Sequence, residues 1–167
     1  MTGHALFDTA IGECGLAWGP LGITAVRLPG PMRFDAAPAD PPPAVRDAIR
    51  RVQALLDGVK DDLRDVELDP TGLPEFNRRV YEVTRAIPPG EVLTYGAVAA
   101  RVGQPGSAQA VGRALGRNPY PIIVPCHRVM GADGRMVGFS APGGTTTKMR
   151  MLAIEGAADP NGQEALF

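Results

Sequence analysis

The chain is short of the groups that build disulfide scaffolds and metal centres. Its 167 residues hold two cysteines and two histidines. Cys14 and Cys126 stand in opposite halves and no C-x-x-C pair occurs. A disulfide framework needs more pairs and a secreted setting, so both thiols are expected to be reduced. No ligand cluster has the spacing of a zinc site, and neither a metal nor another cofactor is expected. A run of about 18 apolar residues is also missing, so no segment is expected to span a membrane. Met1-Thr2-Gly3-His4-Ala5 lacks the basic-then-apolar order of a signal peptide, which makes a cytoplasmic setting the expectation.

What is present suffices for one large domain or two small ones. An apolar content of 44% can fill a core, and 21% charged residues is ordinary for a soluble chain. The net charge of −1 conceals an asymmetry. Residues 1–70 carry 7 Lys+Arg against 11 Asp+Glu, whereas residues 76–150 carry 10 basic residues against Glu82, Glu91 and Asp133. A basic half beside an acidic one suits a polyanion partner or, equally well, a solvated surface.

Alternation from Phe7 to Ile11, a turn at Gly12–Gly15, the return Leu16-Ala17-Trp18, a turn at 19–22 and the run Ile23–Leu28 predict an antiparallel meander. Cys14 falls at its first turn, where a small residue near a hairpin is the simpler reading than a reactive thiol. Six prolines between 29 and 43 predict a stiff loop without helix or ladder. Val45, Ala48, Ile49, Val52 and Leu56 recur at helical spacing, closed by Gly58. Leu63 to Leu68 alternates as a further short strand, and Asp69-Pro70-Thr71-Gly72 is the expected boundary between a domain at 1–70 and one at 71–167.

The second half opens with a helix carrying Phe76, Val80, Val83 and Ile87 and stopped by Pro88-Pro89-Gly90. Two short helices follow: Thr94 can cap Tyr95–Val102, and Ser107 can cap Ala108–Arg117, with Gly103–Gly106 between them. That is helix-turn-helix spacing, a weak signal alone. The second helix is thinned by Ala108, Ala110, Gly112, Ala114 and Gly116. Thinness permits either close packing on another helix or close approach to a groove, and the DNA minor groove is only about 6 Å wide. Residues 118–144 are expected to be irregular apart from Ile122–Val124, a last helix runs from Lys148 to Ile154 with Thr145–Thr147 offering a cap, and Ala157–Phe167 is a loosely held tail.

Pro125-Cys126-His127-Arg128-Val129 is the stretch that carries chemistry. A thiolate is the nucleophile, and an imidazole can take the thiol's proton if an acid orients it. Adjacent residues in a strand face opposite ways, so a Cys126–His127 pair needs a bent backbone, which Pro125 makes plausible. Glu155 is among the few acids in this half. Alone, Cys126 reads more simply as a buried structural cysteine. Beside a basic helix-turn-helix, it reads as a thiol awaiting an electrophile carried on DNA, which requires the base to be flipped out.

The segment Asn118–Val129 closely resembles the active-site segment of the O6-alkylguanine-DNA alkyltransferases, also called methylated-DNA–protein-cysteine methyltransferases. Similarity runs from Phe76 to Gly156 and includes Thr94-Tyr95, Ala110-Val111-Gly112 and Ile154-Glu155-Gly156. The resemblance implies an α+β protein. A small ribonuclease H-like domain, with an antiparallel sheet and one helix, would precede a mostly helical, winged helix-turn-helix-like domain. It also implies a single-turnover repair enzyme that moves an alkyl group from guanine O6 to Cys126. His127 would deprotonate Cys126 through water, Glu155 would orient His127, and Asn118 would brace the turn. Tyr95 would rotate the nucleotide and donate to the leaving guanine. Main-chain groups at Cys126 and Val129 and in the loop around Phe139 and Ser140 would read the base, while Arg128 would tie the active-site loop to the other domain. Thr94, Ser107, Gln109, Ala110, Gly112, Arg113 and Arg117 would meet the DNA.

This sequence departs from the family at two places. The family's gap-filling arginine is Gln109 here, leaving Gln109 or Arg113 to enter the stack. Phe139 stands where tyrosine is common. The implied partner is double-stranded DNA carrying O6-alkylguanine, with O4-alkylthymine left open, and a monomer is expected. The alternatives are a non-catalytic lesion-binding sensor, whose relatives replace the cysteine, a helix-turn-helix regulator and a cysteine hydrolase.

Overall fold

The computed structural model describes residues 2–132 and 144–157. The protein is α+β. Strands β1 (Gly3–Thr9), β2 (Gly12–Gly19) and β3 (Gly22–Arg27) form an antiparallel sheet in the order β1-β2-β3. The first turn is Ala10-Ile11, because Thr9 pairs with Gly12. The expected turn at Gly12–Gly15 is therefore corrected. Cys14 lies inside β2, opposite Phe7, and is fully buried. Gly15 is a strand residue, and glycine is required there because a Cβ would come within 2.7 Å of Phe34. Phe34 belongs to the proline-rich loop, stacks on His4 with ring centroids 4.5 Å apart and lies under the Arg27 guanidinium. That loop is not free of ladder contacts. His4 N–H donates to Ala37 O and Ala39 N–H to His4 O, so Pro38, which has no N–H, needs none.

Helix α1 (Pro43–Leu56) buries Val45, Ala48, Val52, Leu55 and Leu56. Pro43 opens it at a position whose N–H has no helical acceptor. The expected strand at 63–68 is one bridge, Ile23 to Leu68. Leu63 takes φ 54° and its side chain is buried, which breaks the alternation at its first residue.

Helix α2 (Glu75–Arg85) presents Val80, Tyr81 and Thr84 inward. Strand β4 (Leu93–Thr94) leads directly into α3 (Tyr95–Arg101), and α4 (Ala108–Gly116) follows the turn. Thr94 caps α3, its hydroxyl accepting from Ala97 N–H at 3.0 Å. Ser107 sits at the N-cap of α4 without a side-chain bond, since its φ −97°, ψ 32° leaves the extended geometry a capping side chain needs. Strand β5 (Val129–Met130) pairs in parallel with β4. Helix α5 (Gly144–Glu155) begins before the threonines expected to cap it. Ala157, expected to start the loose tail, is buried and donates to Leu152 O. Residues 158–167 lie outside the described residues. One apolar cluster runs from Leu16, Trp18 and Val52 to Val98, Val111 and Ile123, joining sheet and helices.

Candidate functional site

The chain bends at Pro125. Its φ −80°, ψ 66° is an inverse γ-turn, and Cys126 N–H donates back to Val124 O at 2.7 Å. One 3-10 turn over Cys126–Arg128 follows. The Ile122–Val124 run is a tight turn rather than a regular segment, with Ile122 at φ 77°, rare for a β-branched residue. Asn118 holds it: its amide donates to Val124 O and its carbonyl accepts from Tyr120 N–H, both at 2.9 Å. Two further ties come from the first half. Val26 N–H on β3 donates to Pro119 O at 2.8 Å, and the Tyr120 hydroxyl donates to Asp69 O.

The bend brings His127 and Arg128 to one carboxylate. His127 Nε2 lies 3.0 Å from Glu155 Oε2, and Arg128 meets both Glu155 oxygens, Nε at 2.9 Å and Nη2 at 2.7 Å. Arg128 Nη1 also donates to Ile87 O just past α2. Arg128 therefore ties the turn to α5 and to the end of α2. The expected tie to the first domain is corrected, because the partners of the buried guanidinium, Glu155 and Ile87, both lie in the second half.

Burial alone would raise the Glu155 carboxyl, but His127 and Arg128 outweigh it and hold the group well below the usual carboxylate range. Glu155 is thus an anion that only accepts, so His127 Nε2 carries the proton. Burial pushes the imidazole below its ordinary value, so the ring is neutral at pH 7. Its Nδ1 is buried, unprotonated and without a hydrogen-bond partner among the described residues. Burial also raises the Cys126 thiol, with the Asn118 amide and the Lys148 charge pulling the other way. In this cluster His127 and Arg128 are 1% exposed and Glu155 4%, whereas Cys126 keeps 9%.

Lys148 was not anticipated. It is 1% exposed, donates to Val129 O at 2.7 Å, and burial lowers its amine to about 8, opposed by Cys126. A lysine within a helix whose sequence has almost no amphipathic pattern gives no local sign of burial. Val129, expected to read the base through its main chain, already accepts from Lys148, although a carbonyl has a second lone pair to offer.

The β4–β5 pairing explains why Tyr95 joins this site. Leu93 pairs with Val129 and Thr94 with Met130, so α3 starts beside the cysteine turn. Burial raises the Tyr95 phenol, as does proximity to Cys126, and it remains a donor at neutral pH. Thr94, Tyr95, Gln109, Gly112 and Arg113 line one cleft of about 560 Å³. Gln109 and Arg113 on α4 and Arg117 at its C-cap are exposed, while Val111, Ala114 and Leu115 are buried. A Cβ at Gly112 or Gly116 would meet nothing within 4 Å among the described residues, so these glycines do not serve helix packing. Ala114 does, since its carbonyl accepts from the Tyr81 hydroxyl at 2.6 Å. Arg117 borders a separate cleft with Asn77 and Ala110, and Ser107 lines neither. Phe139 and Ser140 lie outside the described residues.

Fold and site together define a helix-turn-helix protein with a cysteine set beside a buried His–Glu–Arg cluster. Residues 75–157 match the family described as 6-O-methylguanine DNA methyltransferase, DNA binding domain. A methylated-DNA–protein-cysteine methyltransferase of Methanothermobacter thermautotrophicus is 38% identical over 155 residues, covering 93% of this chain and 83% of that one. The crystal structure of Mycobacterium tuberculosis O6-methylguanine methyltransferase superposes with a TM-score of 0.80 at 36% identity, covering 93% of each chain. Mycobacterium tuberculosis OGT in complex with DNA gives a TM-score of 0.76 at 36% identity over 91% of each chain. The chain belongs to the methylated-DNA–protein-cysteine methyltransferase family of DNA-repair enzymes. Among the described residues, no helix is long and apolar enough to cross a membrane.

Proposed function

We propose that this protein repairs DNA by direct reversal, accepting the alkyl group of O6-alkylguanine irreversibly on Cys126. The observation that carries the reading is a buried Cys126 next in the chain to His127, whose Nδ1 has no hydrogen-bond partner among the described residues and whose Nε2 is fixed by Glu155. The Cys126 proton passes through a water to His127 Nδ1. The sulfur attacks the alkyl carbon in line. The C–S bond forms as the C–O6 bond breaks, and its electron pair leaves with the guanine. Tyr95 donates a hydrogen bond to that anion, which regains a proton to become guanine. A thioether offers no leaving path, so each molecule acts once.

Residues 71–167 form the DNA-binding and alkyl-acceptor domain in this reading, with 1–70 as its support. The Gly112–Gly116 face of α4 enters the minor groove, and Arg113 and Arg117 neutralise phosphate. The target nucleotide swings out toward Cys126. Gln109 fills the gap, because its flat amide can hydrogen-bond the orphaned cytosine and because a one-turn shift that brought Arg113 there would misplace Tyr95. A monomer acting in the cytoplasm completes the proposal.

The test is transfer of label from a duplex containing radiolabelled O6-methylguanine. The proposal requires about one methyl per molecule, and none for Cys126→Ser. Tight lesion binding without label supports a sensor instead, and repeated turnover on an ester supports a hydrolase.

A further inference from the structure

The chain has only two lysines, Lys60 and Lys148. Lys148 is beside Cys126. Lys60 lies in the segment after α1, far from the cysteine in sequence, yet its Nζ donates to the main-chain oxygen of Glu155 at 2.6 Å. Glu155 is the last residue of α5, where carbonyls have no helical partner and the helix dipole is negative. A cation is the complementary cap there. The approach depends on Gly90, which takes φ 93°. A Cβ on it would come within 2.9 Å of Lys60 Nζ and 3.2 Å of Glu155 O. The same half holds α5 a turn earlier, where Arg150 donates to Ala10 O.

Glu155 is thus gripped at two ends. Its carboxylate is committed to His127 and Arg128, and its carbonyl to Lys60. The terminal residue of a helix frays unless something holds its backbone. Any rotation of the Glu155 backbone would swing the carboxylate away from His127 Nε2, the contact that keeps Nδ1 unprotonated.

We propose that Lys60 is a positioning residue for alkyl transfer: from the N-terminal half it pins the backbone of Glu155 and so locks the tautomer of His127. This rests on the assignment of His127 as the acceptor of the Cys126 proton. Lys60 touches neither substrate nor sulfur in this proposal and contributes nothing to DNA affinity.

Two measurements on the full chain test it. Imidazole nitrogen NMR reads His127 without any need for activity, and His4 is the only other signal. The unaltered protein should show His127 protonated on Nε2 alone, Lys60→Met a mixture of tautomers, and Lys60→Arg the single form again. Transfer of methyl from saturating duplex is the second measurement. Lys60→Met should slow it about tenfold, the scale of a cation at a partly buried helix C-terminus. Duplex affinity should not change, Lys60→Arg should recover the rate, and the loss should vanish where Glu155 is already Gln. Should Lys60→Met fail to fold, Lys60→Gln takes its place. An unchanged His127 signal, or equal slowing in the Glu155→Gln background, overturns the proposal. Tautomer mixing in a protein that never takes up label would instead overturn Cys126 as acceptor while leaving the Lys60 contact supported.

Discussion

Glu155→Gln is the substitution that most directly probes the site. It keeps the shape of the side chain and removes its charge. Arg128, 1% exposed, would then have one neutral oxygen and the Ile87 carbonyl as acceptors. Breaking a buried pair by removing one partner costs about 3–5 kcal/mol, and because the amide still accepts one bond, the lower figure applies. A loss of about 3 kcal/mol is a large share of a total of about 5–15 kcal/mol. For a chain of this length it lowers Tm by roughly 6–12 °C. The pH dependence carries a definite sign. The folded Glu155 pKa is depressed, so the stabilisation is present above the unfolded value of about 4.3 and is lost as pH falls toward the lower folded value. Urea titrations of both proteins should therefore show a gap at pH 7 that narrows below about pH 4.3, where Glu155 of the unfolded chain takes up a proton while the folded one stays ionised. Replacing both Glu155 and Arg128 with Met should recover much of the loss, since no charge is then stranded. A gap below about 1 kcal/mol at pH 7, within the range of an exposed pair, or one that stays constant on acidification, would refute the account of the cluster.

Gln109→Ala should slow transfer from duplex DNA more than transfer from free O6-methylguanine, and equal slowing would rule out a gap-filling role. Because burial lowers the His127 pKa, its neutral form persists below the ordinary value of about 6.5, so transfer rates should hold through pH 6.5 and fall only at lower pH as the ring protonates. A decline centred above that value contradicts the neutral-acceptor assignment. Lys148→Met should slow transfer by removing the cation beside Cys126. The folded Lys148 pKa of about 8 lies below the unfolded one, so below pH 8 the fold carries the cost of a buried cation, and that cost is relieved as pH rises above 8. The stability of the native protein should accordingly rise relative to Lys148→Met between pH 8 and about 10, as urea titrations can measure.

Several local patterns in this chain have two structural solutions, and the fold selects the less obvious one. Glycine marks turns, but Gly15 is in a strand because Phe34 leaves no room for a Cβ. Alternation from 63 to 68 resembles a strand, but the left-handed Leu63 breaks it. The two-residue strands β4 and β5 are too short for any periodicity to register, yet they set Tyr95 beside Cys126. Thinness of α4 was legible, while its direction was not: only the empty space around Gly112 and Gly116 shows that the thin face looks outward.

The sequence by itself determined the family and the candidate residues, through features whose meaning is local: a proline before Cys126, an imidazole after it, an acid at the end of a helix, and a helical pair rich in glycine and arginine. Tertiary structure alone decided how those groups are biased. Whether His127 is neutral, whether Arg128 faces one half or the other, and whether Lys60 and Lys148 are surface charges or parts of the site all depend on burial and on partners distant in sequence. Desolvation and charge pairing belong to the assembled interior, and no stretch of chain carries them alone.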